Sequence, residues 1–500
     1  MMPRILSKPR GVRTAVSGAC TLFFIFSMVA LSLGQTMPLT TGDLNQRLTL
    51  DIESHSGTPP VLEFVLKGPE GTVQYLAFDF ESDGKRDLLI DEIHGEVVFR
   101  GVPFRKPGLY RTTVYLYTGE ERFTREFRIA FTDFVWGRDN FQFANDGEFE
   151  DASDFVSQTL VEWAEQRFGP LSQDQQVLLI SIMYDIYKGS IGRCYGFTGQ
   201  QVFYINNPEH IPDEHGWVYS VAEREPQLYR SMDYVQNDIV FSNFLSGKIN
   251  VTDAQDREGL LGELGIVKSS IEEGEHIIMG YLSNRMHHSM VVYGYFENLF
   301  SNKVTLLAAN NWERDQNNNT FSEDAENIVI DLKPKKPRLS WYDLTKKRYR
   351  YPKSIFAVQR EQKYELSLQD LEALLDSTAA DIVENGRAVI IVEKTETAYM
   401  TDEEGNRRGY SKPKYLREID EIAFKKIDYN FIFEYAAEQE YRLVLKKRRY
   451  NKELDEYKKV NLFAIIPRDG GLHTVIMRDL PVQDESDLVF RVNRDGVHPE

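Results

Sequence analysis

The sequence predicts a multidomain α+β protein in which a mixed helical and β segment lies between two β-rich segments. The chain has 500 residues, enough for about three domains. Residues from about 44 to 134 alternate apolar and polar positions, whereas residues 154–187 repeat apolar side chains at helical spacing and strand-like runs return after Glu275. A hydrophobic content of 42% and an aromatic content of 12% exclude a mainly disordered chain.

The charge of the chain argues against one class of partner. The formal net charge is -18 at pH 7, and a negative field repels phosphate backbones. We therefore expect no nucleic-acid partner.

Residues 1–35 have the pattern of a signal peptide or signal anchor. Basic residues from Arg4 to Arg13 precede an apolar run from Ala19 to Leu33, and small residues follow up to Gly34. The pattern predicts a secreted or cell-envelope protein, cleaved near Gly34 or held in the membrane by an uncut leader. Loss of the leader would leave Cys194 as the single cysteine, so no internal disulfide is expected.

Residues 44–135 alternate with period two and carry frequent turns, which is typical of a small β-sandwich. The runs Phe78–Phe80, Asp83–Asp87 and Phe104–Tyr110 resemble the polycystic-kidney-disease (PKD) type of Ig-like repeat. The resemblance implies a spacer or binding module that could meet a cell-envelope or surface partner. Asp79, Glu81, Asp83 and Asp87 offer oxygen ligands for Ca²⁺, but their spacing favours a solvated acidic turn.

Residues 141–362 form the predicted central domain. Helices are expected over Asp154–Phe168 and Asp174–Tyr187, and strands over Met290–Tyr295 and Val304–Ala308. The helical half therefore precedes the β half.

Residues 363–500 form a predicted C-terminal β-rich domain. It opens with a short helix after Ser367, an N-cap residue with Asp370 three positions on. The polar run 401–410 is interpreted as an exposed connection, and the basic run 446–449 as a charged hairpin facing water. Four strands are expected, namely Ala388–Val392, Phe431–Phe433, Tyr441–Leu445 and Leu462–Ile466.

Cys194 is the candidate nucleophile. A glycine-containing loop with Gly192 leads directly to it, and a helix is predicted to follow. A thiol at a helix N-terminus lies at the positive end of the helix dipole, which favours the thiolate. An inert buried cysteine is the alternative that this pattern alone leaves open.

His288 and Asn310 extend the pattern. His288 opens an apolar strand, and Asn310 ends another that leads to Trp312. An asparagine can hold an imidazole in the tautomer that faces a thiol, while an indole shields their hydrogen bond from water. The neighbouring His287 should point to the opposite face of the strand, so the pair does not predict a metal site.

Together these motifs resemble papain-like cysteine peptidases, through the runs Gly192–Phe197, His288–Tyr295 and Asn310–Trp312. The resemblance implies a helical lobe followed by a β lobe, with Cys194 as nucleophile, His288 as base and acid, and Asn310 as the orienting residue. It implies an enzyme that needs no cofactor and cleaves protein or peptide substrates through a thioester. Lys188 stands where the family places an oxyanion-hole glutamine, and Asn311 is the alternative to Asn310.

Two other functions remain open at this point. The central domain could be a catalytically inactive surface or adhesion scaffold, a reading that Lys188 favours. The chain could also be an amide-transfer enzyme of the transglutaminase type, although that type prefers an aspartate where Asn310 stands.

Overall fold

The computed structural model of this protein is a mixed α+β fold in which strands outnumber helices among the residues it describes. Those residues are 4–8, 49–55, 61–67, 75–91, 96–101, 104, 106–118, 121–135, 137–141, 155–186, 194–212, 217–221, 226–245, 256–283, 286–299, 302–310, 328–333, 335, 337–343, 348–352, 354–358, 367–427, 429–446, 459–481 and 487–500.

The N-terminal part is built from strands whose alternation follows the predicted pattern. In the last of them Phe127, Ile129 and Phe131 are all buried, because every second side chain of a strand faces the same side. Strands β1, β6, β3 and β2 form one antiparallel sheet, while β5, β4, β7 and β8 belong to a larger one. The strands are β1 (Arg4–Lys8), β2 (Thr49–His55), β3 (Val61–Lys67), β4 (Tyr75–Asp79), β5 (Leu88–Asp91), β6 (Glu96–Gly101), β7 (Gly108–Thr118) and β8 (Glu121–Phe131).

In the central part helices come first and strands follow, as the sequence predicts. A single π-helical turn, Phe155–Thr159, precedes the first α-helix. The helices are α1 (Leu160–Phe168), α2 (Gln173–Ile186), α3 (Cys194–Asn206), α4 (Pro226–Leu245) and α5 (Arg257–Glu272). The strands are β9 (Ile277–Ser283), β10 (Met286–Asn298), β11 (Lys303–Asn310), β12 (Ile328–Asp331), β13 (Arg338–Asp343), β14 (Arg348–Arg350) and β15 (Ser354–Val358).

The long strand β10 joins the N-terminal and central parts in one sheet. Its first half pairs with β9 and its second half, from Gly294 onward, pairs with β8. Strand β11 lies along the other edge of β10 and pairs with residues in both halves. The sheet is therefore continuous across the boundary predicted near residues 135–141.

The C-terminal part begins with the predicted helix, α6 (Leu368–Asn385), and continues as a β-sandwich. The capping box is confirmed, because Ser367 accepts from the Asp370 backbone while the Asp370 side chain accepts from that of Ser367. All four predicted strands are present within longer ones. The strands are β16 (Arg387–Glu393), β17 (Thr397–Thr401), β18 (Arg407–Ser411), β19 (Lys414–Arg417), β20 (Ala423–Ile427), β21 (Asn430–Ala436), β22 (Tyr441–Lys446), β23 (Lys459–Arg468), β24 (Gly471–Pro481), β25 (Leu488–Asn493) and β26 (Gly496–Pro499).

Helices cover one of the two C-terminal sheets. The sheet β20-β21-β16-β23-β24 packs on β19-β18-β17-β22-β25-β26 through one core, and its other face packs on α1, α2 and α6 through a second. A sheet covered on both faces needs near-continuous apolar strands, which explains the run of buried residues along β16 and β23. The helical part of the central segment thus shares a core with the C-terminal part.

One interpretation of the sequence was wrong. The run 401–410 is a connection only as far as the turn at Gly405 and Asn406, because β18 then begins at Arg407 and pairs with both β17 and β19. Strand β18 contains Arg407 and Arg408, and these charged residues led the sequence reading to assign the segment to a connection.

The predicted leader is described only in part. Strand β1 lies inside it and pairs with β6, whereas residues 9–48, with the expected cleavage point, lie outside the described ranges. None of the described helices is long and apolar enough to span a membrane.

Candidate thiol site

Cys194 is the first residue of α3, as the sequence predicts. It forms no disulfide, and the residue is only 4% exposed. The first backbone N–H groups of a helix have no intrahelical acceptors, so their partial positive charge collects at this end. A thiolate formed on Cys194 would be stabilised by that charge.

The N-terminal turn of α3 is fixed by close packing on α4. A Cβ atom added at Gly196 would lie 1.9 Å from the backbone oxygen of Met232, and one added at Gly199 would lie 2.3 Å from Val235. Only glycine permits this approach. The side chain of Gln236 in α4 accepts a hydrogen bond from the Gly196 N–H at 2.7 Å, which satisfies one donor of the helix end.

The face of α3 that carries Cys194 packs on β10. Residues four apart lie on the same face of a helix, and Cys194, Thr198 and Val202 follow that spacing. The hydroxyls of Thr198 and Ser289 lie 2.8 Å apart, and Val202 shares a buried cluster with Val291 and other residues of the sheet. The contact moves from the start of β10 toward its middle as α3 proceeds, so the two elements run in the same direction.

A chain of hydrogen bonds links β10 to the backbone of the cysteine. The Thr198 hydroxyl donates to the carbonyl oxygen of Cys194 at 2.8 Å. Because a hydroxyl has one proton, Ser289 then acts as the donor toward Thr198. All of these groups are buried, so the chain ties the start of α3 to the start of β10.

His288 lies next to Ser289 near the start of β10 and is fully buried. Its ring packs edge-on against Tyr281, its register partner on β9, with centroids 5.1 Å apart. Tyr281 belongs to the core beneath α5, together with Met290. Side chains alternate along a strand, so Ser289 lies toward α3 and the described ring contact of His288 lies toward α5.

Asn310 is the last residue of β11 and pairs with Met290, two positions beyond His288. His288 and Asn310 therefore occupy diagonal positions across two neighbouring strands. The start of α3, the start of β10 and the end of β11 meet at one end of the sheet. Cys194 packs on the face of the sheet to which Ser289 points, whereas the described ring contact of His288 lies on the opposite face, toward α5.

Several predicted site residues cannot be placed. Lys188, Gly192, Asn311 and Trp312 lie outside the part of the chain that the structure describes, as does the side chain of Asn310. The predictions for these residues stay predictions.

The two glutamines that follow the cysteine are engaged elsewhere. Gln200 accepts a hydrogen bond from Ser231 at 2.6 Å, and Gln201 donates to the carbonyl of Asp139 at 2.9 Å. Both are buried within the helical part.

The acidic turn at Asp79 is held by its own backbone. The Asp79 carboxylate accepts from the N–H groups of Asp83 and Gly84, and the Asp87 carboxylate accepts from that of Phe80. Across the described ranges there is no group of three or more metal-ligating side chains. These carboxylates close a turn.

Sequence reasoning missed Thr198, Ser289 and Gln236, which position the start of α3. Each acts through a partner at least 40 positions away in the chain, so no local pattern reveals it. The spacing of Gly196 and Gly199 was a usable signal, since two glycines three apart on one helix face permit close helix packing.

Comparison of the sequence with protein-family models and with curated proteins found no match.

Proposed function

We propose that this chain is a papain-like cysteine peptidase in which Cys194 is the nucleophile, His288 the general base and acid, and Asn310 the residue that orients the imidazole. The observation that supports this most strongly is the meeting of three element ends, namely the start of α3, the start of β10 and the end of β11. Each candidate residue lies at or near one of these ends. These ends lie at one end of the sheet, and the role of His288 as the base requires its ring to turn from the α5 face toward α3.

The proposed reaction is acyl transfer to the thiol. The Cys194 thiolate attacks the carbonyl carbon of a peptide bond, and the bond to nitrogen breaks as the imidazolium of His288 gives its proton to the leaving amine. The neutral imidazole then removes a proton from water, which attacks the thioester and releases the acid. Cys194 and His288 return to their starting protonation states.

The start of α3 supplies the electrostatic part of this mechanism. The negative charge of the tetrahedral intermediate forms beside the first backbone N–H groups of the helix, where the dipole favours an anion. Lys188 would add a positive charge on a flexible stem, so it orients less well than an amide donor. We therefore expect a slower enzyme than one with a glutamine at this position.

The proposal includes an extracytoplasmic site of action. Its support is the basic and apolar pattern of residues 1–35. The PKD-like segment 44–135 and the C-terminal segment 363–500 would flank the peptidase and hold it near its substrates.

Hydrolysis of a denatured protein substrate by the reduced full chain tests the proposal. Cys20→Ser makes Cys194 the single thiol, and Cys194→Ala is then expected to lower turnover by at least about a thousandfold. His288→Ala should cause a loss of the same order. His210→Ala is the matched control, because His210 is exposed and paired with Glu209 at 3.2 Å.

His287→Ala completes the set of variants. Ser289 lies on the side of β10 that faces α3, and position 287, two residues earlier on the same strand, belongs to that same side. Loss of turnover in His287→Ala with none in His288→Ala would move the general base to His287 and overturn the assignment of His288. Hydrolysis that persists in Cys194→Ala would contradict the peptidase. Tight substrate binding with no turnover would favour the inactive scaffold instead.

A further inference from the structure

The C-terminal β-sandwich contains a cavity of about 510 Å³, within the usual size range of ligand sites, about 300 to 1,000 Å³. It lies where β18 and β19, at the outer edge of one sheet, approach β20, at the outer edge of the other. Cys194 is not among its lining residues, four of which belong to β18 and β19 of the sheet that α1, α2 and α6 do not cover. Its walls carry three basic, two aromatic and one acidic side chain, namely Arg408, Arg417, Lys426, Tyr415, Phe424 and Asp420.

The charge of this cavity is opposite to that of the chain. Three cations face one carboxylate in a protein whose net charge is -18. Across the described residues no carboxylate forms an ion pair with Arg408 or Arg417, although the next residue, Arg407, pairs with Glu418 at 3.4 Å. Two unneutralised guanidinium groups in one cavity favour an anionic ligand, since each can grip a carboxylate with two parallel hydrogen bonds.

Two aromatic side chains, Tyr415 and Phe424, line the cavity. Tyr415 is 55% exposed and stands edge-on to Phe424 and Tyr410, with centroids 6.3 Å and 5.0 Å away. Two of the three cations lie over aromatic rings, of which only Tyr415 lines the cavity. The guanidinium of Arg417 lies 6.0 Å from the Tyr415 ring centroid, and the ammonium of Lys426 lies 5.1 Å from that of Tyr410. An exposed ring beside two cations suits a ligand that has both a flat apolar face and a negative group.

The edge strand of the cavity is unsuited to a peptide. Adding a strand to β19 would require a long open edge, but β19 has four residues, with Pro413 immediately before it and Lys414 and Arg417 at its ends. Prolines, charges and shortness are the features by which proteins block strand addition. A sugar ring needs no such edge, because its C–H face stacks on an aromatic ring.

We propose that this cavity is a binding site for an acidic saccharide. A uronic acid ring stacks on Tyr415, and its carboxylate is held by Arg408 and Arg417, with Lys426 adding positive charge. Neutral sugars lack the carboxylate that Arg408 and Arg417 would bind. Simple anions lack the flat apolar face that would stack on the Tyr415 ring.

Calorimetric titration of the intact chain with trigalacturonate tests the proposal. We expect saturable binding that weakens as salt is added, and a loss of at least about tenfold when the same trisaccharide carries methyl esters in place of its carboxylates. Arg408→Gln, Arg417→Gln and Tyr415→Ala should each weaken binding about tenfold or more. Arg407→Gln is the matched control and should change affinity less than about twofold, because Arg407 pairs with Glu418 outside the cavity lining.

Three results would overturn the proposal. They are absence of saturable binding, equal affinity for the esterified trisaccharide, and competition by inorganic phosphate or a glutamate-rich peptide at the concentration at which trigalacturonate itself competes. The last would reassign the cavity to a simple anion or to an acidic peptide. Cys194→Ala should bind trigalacturonate as the unchanged chain does, so this result is independent of the peptidase assay.

Discussion

At the scale of single residues, the hydroxyl of Thr198 connects the candidate nucleophile to the sheet. It donates to the carbonyl of Cys194 and lies 2.8 Å from the hydroxyl of Ser289. Thr198→Val keeps the shape of the side chain but removes this partner from the buried Ser289. We expect a loss of about 1 to 3 kcal/mol in the free energy of unfolding and slower alkylation of Cys194.

A double-mutant cycle with Ser289→Ala checks this prediction. Removing both partners should cost less than the sum of the two single changes, because neither hydroxyl is then left without the other. Thr378→Val is the matched control, since the Thr378 hydroxyl donates only to the Leu374 carbonyl within its own helix among the described contacts. Strictly additive single changes would show that the contact does not couple α3 to β10.

Glu393 is the second residue whose chemistry can be tested. It is fully buried and accepts hydrogen bonds from Ser157 at 2.6 Å, Tyr184 at 2.8 Å and Asn461 at 3.1 Å. Burial raises the pKa of Glu393 above its ordinary value of 4.5, and the hydrogen bonds oppose that rise only in part. The folded state therefore holds this proton more tightly than the unfolded state does.

The sign of the pH effect follows from linkage. Glu393 contributes this stability fully below pH 4.5, and the contribution is lost as the pH rises through its higher pKa in the folded protein. Glu393→Gln mimics the protonated acid and should remove this share of the pH dependence. Thermal unfolding of the unchanged protein and of Glu393→Gln between pH 4 and 8 measures this pH dependence. An equal change of stability with pH in the two proteins would contradict the prediction.

At the scale of elements, the helix pair α3 and α4 determines where the thiol lies. Gly196→Ala would place a methyl group 1.9 Å from the Met232 carbonyl oxygen, so the helices must separate. We expect a loss of about 3 kcal/mol and much slower alkylation of Cys194, because its turn moves with the helix. Denaturant unfolding and thiol labelling measure the two effects.

Gly262→Ala is the control for this change. Gly262 lies in α5 and a Cβ added there would meet nothing within 4 Å. An alanine at an open helical position should stabilise the protein by about 0.5 to 1 kcal/mol. If Gly196→Ala were tolerated as well as Gly262→Ala, close packing of α3 on α4 would not hold the thiol in place.

Elements with local signals were predictable from the sequence. Helix α6 begins after Ser367 because that residue and Asp370 cap each other within one turn, and α3 begins at Cys194, directly after a glycine-containing run of the sequence. Strand β18 was missed because its pairing with β17 and β19, rather than its charged residues, makes it a strand. The predicted strand at 388–392 stopped one residue short of Glu393, whose partners come from distant segments.

At the scale of the whole molecule, the described parts share a sheet and a hydrophobic core, so they are not independent domains. Strand β10 pairs with β8 of the N-terminal part, and a single core packs α1 and α2 on β16 and β23. The order of β-rich, mixed and β-rich segments could be predicted from periodicity. Pairings between segments more than a hundred residues apart could not, because periodicity reports which face is buried and not which surface covers it.

Phe463 tests this shared core. It is fully buried on β23 among side chains from α2 and α6. Phe463→Ala should cost about 3 to 5 kcal/mol and should speed hydrogen exchange in α2 as well as in β16. Leu261→Ala is the control, because the position is 44% exposed, and it should leave hydrogen exchange in α2 unchanged. If Phe463→Ala sped exchange only in the C-terminal sheets, the two parts would fold separately.

The most direct test of the central claim is the rate of Cys194 alkylation by iodoacetamide from pH 5 to pH 9, in a Cys20→Ser background. The account predicts reaction that persists well below about pH 8.5, the pKa of an ordinary thiol, and that loses this advantage in His288→Ala but not in His210→Ala. A profile that follows an ordinary thiol, or one that His288→Ala leaves unchanged, would contradict the proposed pair of Cys194 and His288.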